Sequence, residues 1–249
     1  MCPRLSFKHS FEVDKNAVWF ILSNPAARAL PNYLPNVGID LMYELAKKGY
    51  SRLPKPVEKA MKAEIRKRYE HMKESNDQTM KKMETLWRPF ERRFFARIER
   101  LFGKLRYASY VACVSPFSTL NSYFGSSNRI LIESNIEWSR FRWTIAHELL
   151  HLFVYEKLKR YDISESERIM VGELAVEYIL FEDPVLKQYW PGQTYVLWRE
   201  SEELWGGLAP KRSLKLIKKK LGGNLEGRLD VFLNECIELV KSANARAKG

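Results

Sequence analysis

The chain has 249 residues, 45% hydrophobic and 29% charged, the balance of a soluble folded protein long enough to bury a sizeable core. No apolar run is long enough for a membrane span, the N-terminus begins no recognisable signal peptide, and three scattered cysteines, Cys2, Cys113 and Cys236, suit neither a disulfide framework nor a cysteine zinc site. These features point to the cytoplasm and to reduced thiols, while the formal charge of +12 raises the expectation of an acidic partner, nucleic acid included.

In chain order, residues 5–50 read as short helices broken at Asn24-Pro25, Leu30-Pro31 and Leu34-Pro35. Val18 to Leu22 is a buried piece, residues 31–36 form a loop, and a helix restarts at Ile39 and ends near Gly49. Pro54 and Pro56 mark a boundary. From Val57 to Leu105 the apolar positions recur mostly every three or four residues, which is a sustained amphipathic helical pattern. Pro89 kinks or restarts it, and Ser75-Asn76-Asp77 can form a turn, so one long helix and a helical hairpin both fit. Between Arg52 and Arg106 there are 17 Lys and Arg against 8 Asp and Glu, so most of the excess charge sits in this segment. Arg66, Lys67, Arg68, Arg92, Arg93, Arg97 and Arg100 form either a face for nucleic acid or an acidic partner, or a solvated outer face. Trp87, Phe90, Phe94 and Phe95 belong to the core.

Residues 106–134 change to strand-like composition, with runs at Tyr107 to Val114, Phe117 to Phe124 and Arg129 to Glu133. A small antiparallel or mixed sheet follows. Then comes Thr144-Ile145-Ala146-His147-Glu148-Leu149-Leu150-His151-Leu152-Phe153, in which Ile145, Leu149, Leu152 and Phe153 give a helix its apolar stripe. On that helix His147 and His151 project from one face, one turn apart, and can grip one ion. Glu148 emerges beside the ion rather than on it, where its carboxylate can take a proton from water. This H-E-x-x-H spacing is a zinc-hydrolase signature. A second helical stretch, Gly172 to Leu180, carries Glu173 and Glu177 on one face, with Glu173 22 positions beyond His151 and a turn at residues 162–166 between. It offers a third ligand, and a His-His-Glu set leaves one position open for water, as catalytic zinc requires.

Beyond Pro184, Trp190-Pro191-Gly192 is a turn, and Tyr195 and Arg199 are the donors considered for an oxyanion. Residues 211–221 form a basic helix and Leu229 to Val240 a final amphipathic one.

The segment Arg142-Trp143-Thr144-Ile145-Ala146-His147-Glu148-Leu149-Leu150-His151 resembles the R-F-T-(I/L)-A-H-E-L-G-H segment of the ImmA/IrrE metallopeptidases. Arg129 to Asn135 is similar to the strand before that family's metal helix, so the resemblance spans about residues 106–184. The family's third ligand opens a helix E-A-N-x-F-A-x-x-L-L-M-P, and Glu173 to Pro184 keeps its length, its opening Glu and its closing Pro. Leu150, Ala175 and Glu177 depart from the family's Gly, Asn and Phe, as do Phe181, Glu182 and Asp183 before the Pro. Glu173 and Glu177 also resemble the E-x-x-x-D of thermolysin-like gluzincins, whose second acid orients a ligand histidine from behind.

The resemblance implies that His147, His151 and Glu173 hold zinc, that Glu148 is the general base, and that Glu177 accepts a proton from a ligand ring. It also implies an edge strand that holds an extended peptide, for which Ile130 to Glu133 is the candidate, and a narrow protein substrate such as a transcriptional regulator. The expected fold is α+β and mainly helical, with a small sheet packed on the metal helix of a zincin-like domain at residues 106–249. A basic helical region at residues 1–105 precedes it. The rival expectation is a metal-stabilised, catalytically silent protein that binds nucleic acid or a regulator through its basic helices.

Overall fold

Leu5 and Phe7 are buried while Arg4 and Lys8 are exposed, and this alternation is the period of a strand. Strand β1, Arg4–Lys8, therefore corrects the expectation of helices from residue 5 onward. Five residues are too few for periodicity to separate strand from helix, and the strand's partner lies far along the chain, from Ser109 to Cys113. The computed structural model describes residues 3–23, 55–116, 122–123, 127–190 and 210–248. The helix expected from Ile39 to Gly49, together with Tyr195 and Arg199, lies outside them.

After β1 come helices α1, Phe11–Ser23, and α2, Lys55–Phe102. Strands β2, Ser109–Ser115, β3, Ser122–Tyr123, and β4, Arg129–Glu133, complete a mixed sheet of order β1-β2-β4-β3. β1, β2 and β4 run parallel, and the short β3 returns antiparallel beside Ile130 and Leu131. β4 is thus an inner strand, not the expected edge, because β2 pairs along its whole length on one side and β3 occupies part of the other. The remaining helices are α3, Phe141–Leu158, α4, Glu165–Glu182, α5, Pro210–Leu221, and α6, Leu229–Lys248. The protein is mainly helical α+β, and no helix among the described residues is long and apolar enough to cross a membrane.

α2 is one continuous helix of 48 residues with Pro89 inside it, which decides between rod and hairpin. A proline inside a helix costs about 3 kcal/mol, and here it interrupts a stripe of Met83, Trp87, Phe90, Phe94, Ile98 and Leu101 that is buried on both sides of it. Burial of these side chains, worth about 1.5–3 kcal/mol each, outweighs the loss. No turn forms at Ser75 to Asp77. Asn76 is instead buried within the helix, its amide 3.3 Å from His9 Nε2. Gly103 ends the helix at φ 81 with its N–H on Glu99 O, the left-handed stop that a glycine adopts without strain.

The sheet buries both faces. Tyr110, Ala112, Val114, Ile130 and Ile132 join the main core with α2, α3 and α4, whereas Cys113 and Leu131 pack on Ala17 of α1. One core therefore takes in β1 and the C-terminal half of α2 together with the sheet and helices beyond residue 105. Cys113 and Cys236 are buried free thiols.

Arg97 does not share the exposed face of its basic neighbours Arg92, Arg93 and Arg100. It is 5% exposed and forms an ion pair with Asp183, just past the end of α4, its Nη2 donating to Oδ2 at 2.7 Å. Its place in the heptad, three residues after Phe94 and four before Leu101, turns it towards the core.

Candidate metal centre

α3 is buried on nearly every side because it is packed between the sheet, α2 and α4. Arg142 ties its first turn to α2, donating from Nε to Leu86 O at 3.0 Å. α4 starts at Glu165 behind a capping box, in which Ser164 Oγ accepts from the Glu167 N–H and the Glu167 carboxylate accepts from the Ser164 N–H. Glu173 therefore sits in the third turn of α4 and does not open it, as the family pattern suggested.

The two helices bring His147, His151 and Glu173 to one point. His147 Nε2 and His151 Nε2 face each other at 3.0 Å, Glu173 Oε1 lies 3.3 Å from His151 Nε2, and Oε2 lies 3.6 Å from His147 Nε2. Both imidazoles are buried and the Glu173 side chain is a quarter exposed. Glu177, fully buried one turn on, places Oε1 3.5 Å from His147 Nδ1. Glu148 is also buried, 6% exposed, beside His147 on α3. Among the described residues no other group of three His, Cys, Asp or Glu side chains converges in this way.

The donor geometry fits a small divalent ion. Ligands at zinc's bond lengths of about 2.0–2.1 Å, set at tetrahedral angles, stand about 3.3 Å apart, in the middle of the three observed separations. Hydrogen bonding among the three groups leaves Glu173 Oε2 and His147 Nδ1 buried without partners among the described residues. Glu173 Oε2 lies 3.6 Å from His147 Nε2, on the side where the two imidazole nitrogens meet, and an unsatisfied buried carboxylate oxygen at that point fits a cation.

The electrostatics agree. Burial works against a charge on His147, but Glu173, Glu177 and Glu148 more than offset it and raise its pKa from 6.5 to about 10. Burial likewise opposes the Glu173 carboxylate, and the two imidazoles still hold it well below the ordinary range. Three carboxylates around two imidazoles make a pocket that demands positive charge. Glu148 shifts the other way, because burial pushes its carboxyl up against the pull of His147 and His151.

Of the residues singled out in the sequence, His147, Glu148, His151, Glu173 and Glu177 are brought together, and Tyr195 and Arg199 fall outside the described residues. Trp143 is an addition. Its indole packs on the His147 ring at 4.9 Å between centroids, and its position four residues before His147 was the available signal. No family model, curated protein or solved structure matches the chain, so the likeness to a known family rests on the motif residues alone.

Proposed function

We propose that the protein is a zinc-dependent metallopeptidase of the gluzincin type, similar to the ImmA/IrrE enzymes, acting on a narrow protein substrate such as a transcriptional regulator. The observation that carries this reading is the convergence of His147 Nε2, His151 Nε2 and Glu173 at tetrahedral spacing with the buried carboxyl of Glu148 beside them.

His147, His151 and Glu173 would hold the ion, and zinc when bound supplies Lewis acidity that polarises a carbonyl and acidifies water. Glu148 takes the proton of the attacking water on its carboxylate and returns it to the leaving amine, so no net proton is gained or lost by the side chain. Its burial strengthens it as a base, because a desolvated carboxylate holds a proton more tightly than an exposed one. Glu177 faces Nδ1 of His147 and favours the tautomer that leaves Nε2 free to bind metal.

Elemental analysis should find about one zinc per chain, and a candidate substrate should be cut at defined bonds, located by mass spectrometry. Glu148→Gln should keep the zinc and lose about 10²- to 10⁴-fold in hydrolysis, since an amide cannot accept the proton. Zinc-free protein that cannot be reloaded would end the reading. Equal cleavage by the Gln variant would remove Glu148 as the base.

The exposed Lys81, Arg88, Arg92, Arg93 and Arg100 along α2 favour a second reading, a metal-stabilised protein that binds nucleic acid and cleaves nothing. It requires affinity for DNA or RNA that falls steeply with salt and with Arg92→Glu and Arg93→Glu, in a protein whose peptidase assays stay blank.

A further inference from the structure

Trp143 stands one turn before His147 on α3, so their rings share a face of the helix. The ring centroids are 4.9 Å apart at an interplanar angle of 39°, and the indole also meets Phe181 of α4 at 6.4 Å. Trp143 is buried, and its Nε1 has no hydrogen-bond partner among the described residues. Packing therefore holds the indole in place, and the indole closes one side of the His147 imidazole.

That side matters because the restraint on the Nδ1 edge of the ring is weak. Glu177 Oε1 reaches Nδ1 at 3.5 Å, beyond the range of a strong hydrogen bond. An imidazole free to turn about χ2 would swing Nε2 away from His151 and Glu173. We infer that Trp143 is a positioning residue for the metal centre, whose indole fixes the rotamer of His147 and so presets the direction in which Nε2 meets an ion. The inference rests on the metal-centre reading above. A ligand imidazole gains positive charge when it binds a cation, and an aromatic ring packed against it at 4.9 Å favours that charge through its quadrupole. A flat ring at position 143 should therefore support metal binding, and a branched aliphatic side chain should not.

Zinc affinity of the purified full chain, measured by competition with a chromophoric chelator, tests this with Trp143→Leu and Trp143→Phe. The Leu variant should bind zinc about tenfold or more weakly, and the Phe variant within about threefold of the unmodified protein. Trp143 is one of seven tryptophans, so a second measurement isolates it: cobalt(II) should quench an emission component in the unmodified protein that is missing from Trp143→Phe. A Leu variant that binds zinc as tightly as the unmodified protein overturns the inference, and so does cobalt quenching that is equal with and without the indole. If the Leu variant does not fold, the cobalt comparison decides alone. Failure of the unmodified protein to bind zinc or cobalt is a separate result, which refutes the metal centre and the inference with it.

Discussion

α4 and the residue after it contribute to two buried clusters of charge, built in opposite ways. At its end, Asp183 accepts from Arg97 Nε and Nη2 and from the backbone N–H groups of Val185 and Leu186. Arg97 also donates from Nη1 to Glu226 and from Nη2 to Asn224, and although burial works against its charge, the two acids more than offset this and raise its pKa. Every group there has a partner within the chain. In the middle of α4, by contrast, Glu173 joins two imidazoles whose ring nitrogens point at each other, and polar atoms of Glu173 and His147 are left over. The first cluster closes on itself and stabilises the fold, joining α2, α4 and the loop before α6. The second gathers two imidazoles and a carboxylate at one point and leaves a buried oxygen of Glu173 unsatisfied. Buried charge is thus a guide to function only when the chain itself leaves it unsatisfied.

The largest effect that bears on this contrast is the loss of metal. His147→Ala, His151→Ala or Glu173→Ala should reduce zinc from about one ion per chain to less than about a tenth after gel filtration. Each should also abolish stabilisation by zinc, which in the unmodified protein should reach about 4 kcal/mol at a thousandfold excess of free zinc over Kd. Calorimetric melting with and without zinc reads this directly. Equal stabilisation of the Ala variants would show that the ion sits elsewhere.

The self-satisfied cluster should answer differently. Arg97→Met leaves Asp183 buried without its cation and should cost about 3–5 kcal/mol in urea unfolding, with zinc or without it, while the folded fraction keeps its full zinc content. A variant of normal stability that has lost its zinc would invert the roles assigned to the two clusters.

Glu177→Ala tests the acid behind the ligands. It should weaken zinc binding about 10- to 100-fold and still fill at excess zinc, whereas Glu173→Ala should not fill. The reverse pattern in chelator competition would exchange their roles.

The smallest effect is a proton. In the metal-free chain the His147 pKa is raised from 6.5 to about 10, so this ion pair stabilises the metal-free fold fully below about pH 6.5 and is lost as pH rises towards 10. Zinc must displace that proton, so binding at pH 8 should release about one proton per ion and tighten as pH increases. An ordinary imidazole would release almost none there. Titration calorimetry in buffers of different ionisation enthalpy distinguishes the two.

Much of the centre was legible because its first part is local. Four-residue spacing alone puts His147 and His151 on one helical face, with Glu148 adjacent, and Trp143 follows from the same rule. The buried aromatic stripe of α2 and the two C-terminal helices came from the same periodicity. β1 is not legible in the sequence, since five alternating residues are ambiguous until a parallel partner is found at Ser109 to Cys113. The composition of β4 does not say how many neighbours the strand has, so an edge in the sequence reading is an inner strand in the fold. Arg97 is indistinguishable in the sequence from its surface neighbours, because a cation buried by a distant acid reads like any other arginine.

The sequence by itself determined the helical character of residues 57–105, of the segment around His147 and of the two C-terminal segments, the strand of residues 129–133 and the pair of histidines one turn apart, because each depends on backbone geometry repeated within about a dozen residues. Only the tertiary structure decided that Glu173, on a separate helix, meets those histidines while Asp183, ten residues later, meets Arg97. Such meetings depend on how α2, α3 and α4 pack, and packing is settled by the shape of the whole buried surface and by the entropy of closing the loops between.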